Sequence, residues 1–238
     1  MRRSYGKLLR ITCVSIMILL FVGSCASLPK RNYSSEEEKL YSEAIFYLEH
    51  GNGFNDYYQR AYKLFEELLE KYPGSKYEVA AKIGKADALF KQGKYSLAAA
   101  IYGEVLNSYP YDPLSVKAKF MLAECYRNLS DTYDRDLQNI QLAYQNYEEF
   151  LEFCRMKNGV NPEFCRDKIE KAVKLKSEME DKLAKRILYI ARFYLKRGYK
   201  LAAYERLKEL LDKYPDSSVA EDARRVYERL SGELWGEK

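Results

Sequence analysis

One phrase is written three times along this chain. Residues 62–75 read YKLFEELLEKYPGS, residues 204–218 read YERLKELLDKYPDSS, and residues 101–112 carry a looser copy, IYGEVLNSYPYD. Each copy is an apolar stripe at helical spacing, then Tyr-Pro, then a polar residue suited to start a helix. The residue before a proline is pushed out of the α region, so each Tyr-Pro ends a helix. A single catalytic site gives no reason for such repetition. Stacked structural units do, because each unit buries its face only against its neighbours.

The rest of the chain from Glu36 has helical period, and no alternating stretch reads as a strand. Leu40, Ala44, Tyr47 and Leu48 form one stripe, with Ser35 and Glu38 as a capping box. Ala61, Leu64, Phe65, Leu68 and Leu69 form the next, ended by Tyr72-Pro73. Ser75 with Glu78 makes a second capping box. Gly93 separates two further helices, and Asp112 with Pro113 opens another that runs through Leu129. A helix over LQNIQLAYQNYEEFLEF follows, then the break CRMKNGVNPEFC. A long helix is expected from about Pro162 to Arg197 with Asn161 as its cap. Gly198 ends it, and Ser218 with Glu221 caps the last helix.

Aligned on the phrase, the units share a small-large rule. Second helices carry Ala61/Phe65/Tyr72, Ala98/Tyr102/Tyr109, Ala143/Tyr147/Cys154 and Ala203/Leu207/Tyr214. First helices carry Ala44/Tyr47, Ala86/Leu89, Ala123/Tyr126 and Ala191/Tyr194. Two antiparallel helices approach closely where both carry Ala, and the large residue fills the adjacent gap. The pattern resembles the tetratricopeptide repeat (TPR), whose unit is roughly 34 residues. Tyr72 and Tyr109 lie 37 residues apart, and the later spacings of 45 and 60 imply insertions. The expected fold is all-α: a right-handed TPR superhelix of about four to five helix pairs over residues 36–238, with a concave groove.

Residues 1–24 hold four cations and no acid, around an apolar run from Ile11 to Val22. That run is about right for a signal peptide and short for a membrane span. VGSC at 22–25 resembles a bacterial lipobox. Residues 1–24 are then the lipoprotein signal and 25–35 a lipidated cysteine and tether. The plainer alternative is an ordinary signal peptide with an incidental cysteine. Acyl chains on Cys25 would hold the protein on a membrane surface, and Ala26 after it points to an outer membrane. Removing those four cations from the 40 in the chain leaves 36 against 35 acids. So neutral a body has no footprint for a phosphate backbone, and nucleic acid is set aside as a partner.

Enzyme chemistry has little to stand on. The single histidine, His50, precedes Gly51 at a helix end, and no phosphate-binding loop, Cys-x-x-Cys or His-Glu-x-x-His is present. No metal or cofactor is expected. Cys125 reads as a small buried apolar residue. Cys154 and Cys165 bracket the insertion, and in an oxidising compartment a disulfide between them is favoured over two free thiols. Tyr47, Tyr72, Tyr102, Tyr109, Tyr126, Tyr147 and Tyr214 fall at scaffold positions. Groove-side candidates lie one residue after the packed Ala or three before it, with Phe90 and Arg127 one turn after it: Tyr41, Ile45, Ile83, Asp87, Phe90, Phe120, Glu124 and Arg127. Such a mixture of aromatic, apolar and charged groups suits an extended or helical segment of another protein.

LYSEAIFYLEHGN, YPYDP, DRDLQNIQLAYQNYEEFL and ARFYLKRGYKLAAYERLKELLDKYPDSSVAEDA, following a lipobox, resemble the BamD (YfiO/ComL) family of outer-membrane assembly lipoproteins. DRD at 134–136 and FYLKRGYKLAAYERL at 193–207 are the most specific pieces. The resemblance implies a non-enzymatic scaffold on the periplasmic face of the outer membrane. Its C-terminal half would bind a BamA-like barrel subunit through Tyr194, Arg197 and Arg206, alongside other lipoproteins of the assembly complex. Its N-terminal groove would receive unfolded barrel proteins. Arg206 can clamp a partner carboxylate bidentately or can simply be a solvated helix charge. The other reading is a different periplasmic TPR protein: a pilotin that escorts a secretin, or a Tol-Pal cell-division coordinator.

Overall fold

The computed structural model describes residues 33–51, 55–130, 137–156 and 161–236. Among these residues all regular structure is helical: α1 (Glu36–Glu49), α2 (Asn55–Lys71), α3 (Glu78–Lys91), α4 (Tyr95–Ser108), α5 (Ser115–Leu129), α6 (Leu137–Arg155), α7 (Pro162–Lys196), α8 (Lys200–Lys213) and α9 (Ala220–Trp235). Each packs chiefly on its sequence neighbours, while α1 also touches α3 and α5 touches α7. The result is a TPR-type solenoid of four helix pairs and a closing helix.

The small-large rule accounts for this packing. All eight aligned alanines, Ala44, Ala61, Ala86, Ala98, Ala123, Ala143, Ala191 and Ala203, are fully buried. So are the large residues one turn on, Phe65, Tyr102, Tyr147 and Leu207. The core is a row of four clusters bridged by shared side chains: Tyr62 joins the first two, Met121 and Tyr126 the next two, and Tyr214 the last. Such a row stabilises a solenoid through nearest-neighbour interfaces.

The helix ends follow the sequence with one systematic difference. Ser35 caps α1, its Oγ accepting from the Glu38 N–H at 3.1 Å. Glu38 reaches one residue further back than a capping box predicts and accepts from the Ser34 N–H at 3.0 Å. At the Tyr-Pro junctions the helix begins later than the polar residue suggests. Ser75 and Asp112 donate their N–H to the carbonyls of Tyr72 and Tyr109, at 3.2 and 3.1 Å. Ser217 makes the same bond to Tyr214 at 3.3 Å. Their own carbonyls then accept from Glu78, Ser115 and Ala220 at 2.9, 2.9 and 3.0 Å. Two successive turns therefore precede each helix. Ser75 Oγ and Asp112 Oδ1 satisfy N–H groups two residues on, from Tyr77 at 2.9 Å and Leu114 at 2.8 Å. The Ser75–Glu78 and Ser218–Glu221 boxes do not form as expected: Glu78 accepts from Gly74 N–H, and Ser218 N–H donates to Asp181 of α7.

Gly93 and Gly198 adopt φ of 76° and 80° between the helices of a pair, where a side chain would be strained. Asn161, in the left-handed region at φ 66°, caps α7 by accepting from Phe164 N–H at 3.1 Å. Gly84 has a different purpose. A Cβ there would lie 2.4 Å from the Phe65 ring, which is wholly buried and has no room to retreat. Gly84→Ala should therefore destabilise the fold by about 1–3 kcal/mol, read as a lowered urea midpoint at unchanged slope.

Candidate functional site

The first helices of the first three units line one groove of about 790 Å³. Tyr41 and Ile45 come from α1, Ile83, Asp87 and Phe90 from α3, and Phe120 and Glu124 from α5. Seven of the eight groove candidates thus share one concavity: the six at the one-after and three-before positions, and Phe90 one turn after Ala86. They divide by exposure. Tyr41, Ile45, Asp87 and Phe90 are half-buried, with Tyr41 stacked on Tyr77 at 4.5 Å and Phe90 edge-on to Tyr95 at 5.1 Å. Ile83, Phe120 and Glu124 are only 3%, 2% and 4% exposed, so they form the floor rather than a contact surface. Arg127 does not line the groove. One turn beyond Glu124 on α5, it is drawn back onto that carboxylate.

The two groove acids are tied into the scaffold by equivalent contacts in successive units. Asp87 accepts a hydrogen bond from the Tyr102 hydroxyl and pairs with Lys117 Nζ at 2.6 Å. Glu124 accepts from the Tyr147 hydroxyl at 2.7 Å, from Arg127 at 3.1 Å, and lies 3.4 Å from Lys171 Nζ. Burial alone pushes the Glu124 carboxyl up. The hydrogen bonds from Tyr147 and Arg127 and the charges of Arg127 and Lys171 outweigh it, so it is held below the usual range. Burial first, and then the neighbouring carboxylate, raises Tyr102 and Tyr147 far above the ordinary phenol. Both remain protonated donors. The tyrosines read as plain scaffold in the sequence therefore carry a polar duty as well.

A signal for this was present in the chain's own repeats. The residue after the packed Ala is Ile45, Asp87, Glu124 and Arg192 in the four units, and its partner on the second helix is Phe65, Tyr102, Tyr147 and Leu207. Acid occurs where Tyr can donate to it, and nowhere else in this series. The cations Lys117, Lys168 and Lys171, which face the groove, were not legible because two of them come from α7.

In the C-terminal half, Tyr194 and Arg206 share a shallow depression of about 360 Å³ with Ala202, Glu205 and Glu209. Arg206 is half-exposed and donates to Glu209 at 2.6 Å, which Lys213 also engages at 2.9 Å. Arg197 lies outside that depression, at the end of α7, with its guanidinium 5.2 Å from the centre of the Phe193 ring. Cys154 and Cys165 are joined by a disulfide, and Cys125 is free and buried. His50 donates from Nδ1 to the Phe46 carbonyl, 2.8 Å away, and stacks on the Phe46 ring. Cys25, the signal segment and the DRD motif at 134–136 lie outside the described residues. Among the described residues no group of three or more His, Cys, Asp or Glu is placed to hold a metal ion, and no helix is long and apolar enough to cross a membrane.

Fold and groove together define a helix-pair scaffold that presents a mixed aromatic and charged concavity. Residues 34–231 match the YfiO family, described as outer membrane lipoprotein, and the chain belongs to that family. It is 26% identical over 201 residues to the outer membrane protein assembly factor BamD of Neisseria gonorrhoeae, covering 80% of this chain and 70% of that one. It is 25% identical over 210 residues to the Rickettsia prowazekii protein of the same name, covering 87% and 78%. The Haemophilus influenzae protein is 23% identical over 233 residues, covering 94% and 84%. Among solved structures, a thermophilic TPR protein of Thermus thermophilus aligns with 82% of this chain and 98% of its own, at 18% identity and a TM-score of 0.41.

Proposed function

We propose that this chain is a non-enzymatic scaffold in the assembly of outer-membrane β-barrel proteins, held on the periplasmic face of the outer membrane by acyl chains on Cys25. The observation that carries the reading is the extent of the match. Nearly the whole helical region, not one generic repeat, aligns with the family and with proteins named outer membrane protein assembly factor. The groove of α1, α3 and α5 is then the receptor for unfolded barrel proteins, with Tyr41, Ile45 and Phe90 as its accessible apolar contacts. A groove of this mixed character suits an extended segment carrying aromatic side chains.

The C-terminal units bind a BamA-like barrel subunit, and other lipoproteins of the assembly complex are further partners. Tyr194 and Arg206 supply an aromatic anchor beside a guanidinium, the pairing common at interface hot spots. Glu209 holds Arg206 in place in the free protein and would share it with a partner carboxylate.

Affinity purification from detergent-solubilised outer membrane should recover a BamA-like barrel protein. Recovery of only a secretin, or of only Tol components, would replace this reading with a pilotin or a cell-division coordinator. Arg206→Glu should weaken the association by about tenfold or more. Its helix content should not change, because the ion pair lost is a surface one worth little. Unchanged co-purification would remove Arg206 from the interface.

A further inference from the structure

The first ten residues of α7 are fastened to the solenoid chiefly by one covalent bond. Cys154 near the end of α6 and Cys165 in the first turns of α7 form a disulfide, with Cα atoms 5.6 Å apart. Between Pro162 and Lys171, Cys165 is the sole buried residue, and Phe164 and Lys168 are half-buried. Regular burial of α7 resumes only at Ala172. Yet this weakly buried segment forms a wall of the groove. Lys168 and Lys171 line it. Phe164 meets Phe120 and Phe150 edge-on at 6.1 and 6.3 Å. Lys171 Nζ lies 5.3 Å from the centre of the Phe120 ring and pairs with Glu124. Helical segments with so few buried apolar contacts open locally at little cost unless something else ties them down.

Building on the client-groove reading above, we infer that the Cys154–Cys165 disulfide is a redox-sensitive clamp that holds the first turns of α7 as a wall of the groove. A dithiol reductant releases it. Its thiolate attacks the half-buried Cys154 sulfur, the S–S bond breaks, and Cys165 leaves as a thiolate that takes up a proton. The second reductant thiol then displaces the mixed disulfide, so two electrons and two protons pass to the protein and the reductant ends as its own disulfide. Cys125 does not compete in this exchange: it is fully buried, and burial pushes its thiol up to about 12. Once released, residues 162–171 keep as anchors the Phe164 ring, the small buried Cys165 side chain and the exposed Lys171 with its contacts to Glu124 and Phe120. The groove loses its preorganised wall, and the need to order that wall again weakens client binding.

The test compares amide hydrogen exchange in the full mature protein, oxidised and after dithiothreitol. Exchange at residues 163–171 should accelerate by about tenfold on reduction, while α8 and α9 stay unchanged. The Cys154→Ser/Cys165→Ser variant should match the reduced protein and ignore dithiothreitol; if it fails to fold, the wild-type pair still decides. Unchanged exchange at 163–171 overturns the clamp. An unfolded outer-membrane β-barrel protein diluted from urea is the groove probe, and its affinity should fall by about fivefold on reduction. Faster exchange with unaltered affinity overturns the clamp's role in the groove. A protein that binds no barrel protein in either redox state overturns the client reading, and exchange alone then decides the clamp.

Discussion

Replacing Phe120 with Ala should lower the unfolding free energy by about 3–5 kcal/mol, the cost of emptying a fully packed aromatic site. The ring is 2% exposed and meets Tyr147, Phe150 and Phe164 edge-on at 6.1, 5.2 and 6.1 Å. It therefore joins α5, α6 and α7 at the point where the groove floor becomes the core. Urea denaturation followed by circular dichroism measures the loss. A change below about 1 kcal/mol would mean the ring behaves as a surface contact, in conflict with its burial. Phe90→Ala is the informative contrast. That ring is half-buried on the same groove, so it should cost less stability and more client affinity.

Glu124→Ala should cost about 3 kcal/mol, because it leaves Arg127, the Tyr147 hydroxyl and Lys171 facing an empty, largely buried site. Glu124→Gln keeps the shape and removes the charge, which isolates the electrostatic part. The sign of its pH dependence follows from the direction of the shift. The folded-state carboxyl is held below its unfolded value, so its stabilisation is fully present above the unfolded value of about 4.3 and is lost as pH falls through the folded one. Wild-type thermal midpoints should therefore fall more steeply on acidification than those of Glu124→Gln. Parallel slopes would show that Tyr147 and Arg127 do not bias this carboxylate.

Much of the architecture was legible because it is repetitive. Ala at one position and a large residue one turn later, written four times over, leaves few ways to pack, and all eight alanines are buried as that rule requires. The junctions are less legible. Tyr-Pro marks the stop, but Ser75 and Asp112 do not declare themselves as turn residues, since the same side chains cap helices and close short turns by the same kind of bond. The groove candidates fell together because a solenoid brings equivalent positions of successive units onto one face.

By itself the sequence determined what is local and periodic in this protein: the helices, the Tyr-Pro breaks, the inward alanines and the faces that look into the groove. These depend on spacings of three, four and seven residues along one helix, or on a unit that returns after 37 residues and, with insertions, after 45 and 60. Only the tertiary structure decided which groove residues are accessible and which are taken up by the scaffold. Asp87 is met by Lys117 at a separation of 30 residues, and Glu124 by Tyr147 and Lys171 from two further helices. Of these partners Lys171 is placed by the course of α7 along the groove, which the Cys154–Cys165 disulfide helps to fix, and Lys117 by the packing of α5 beside α3.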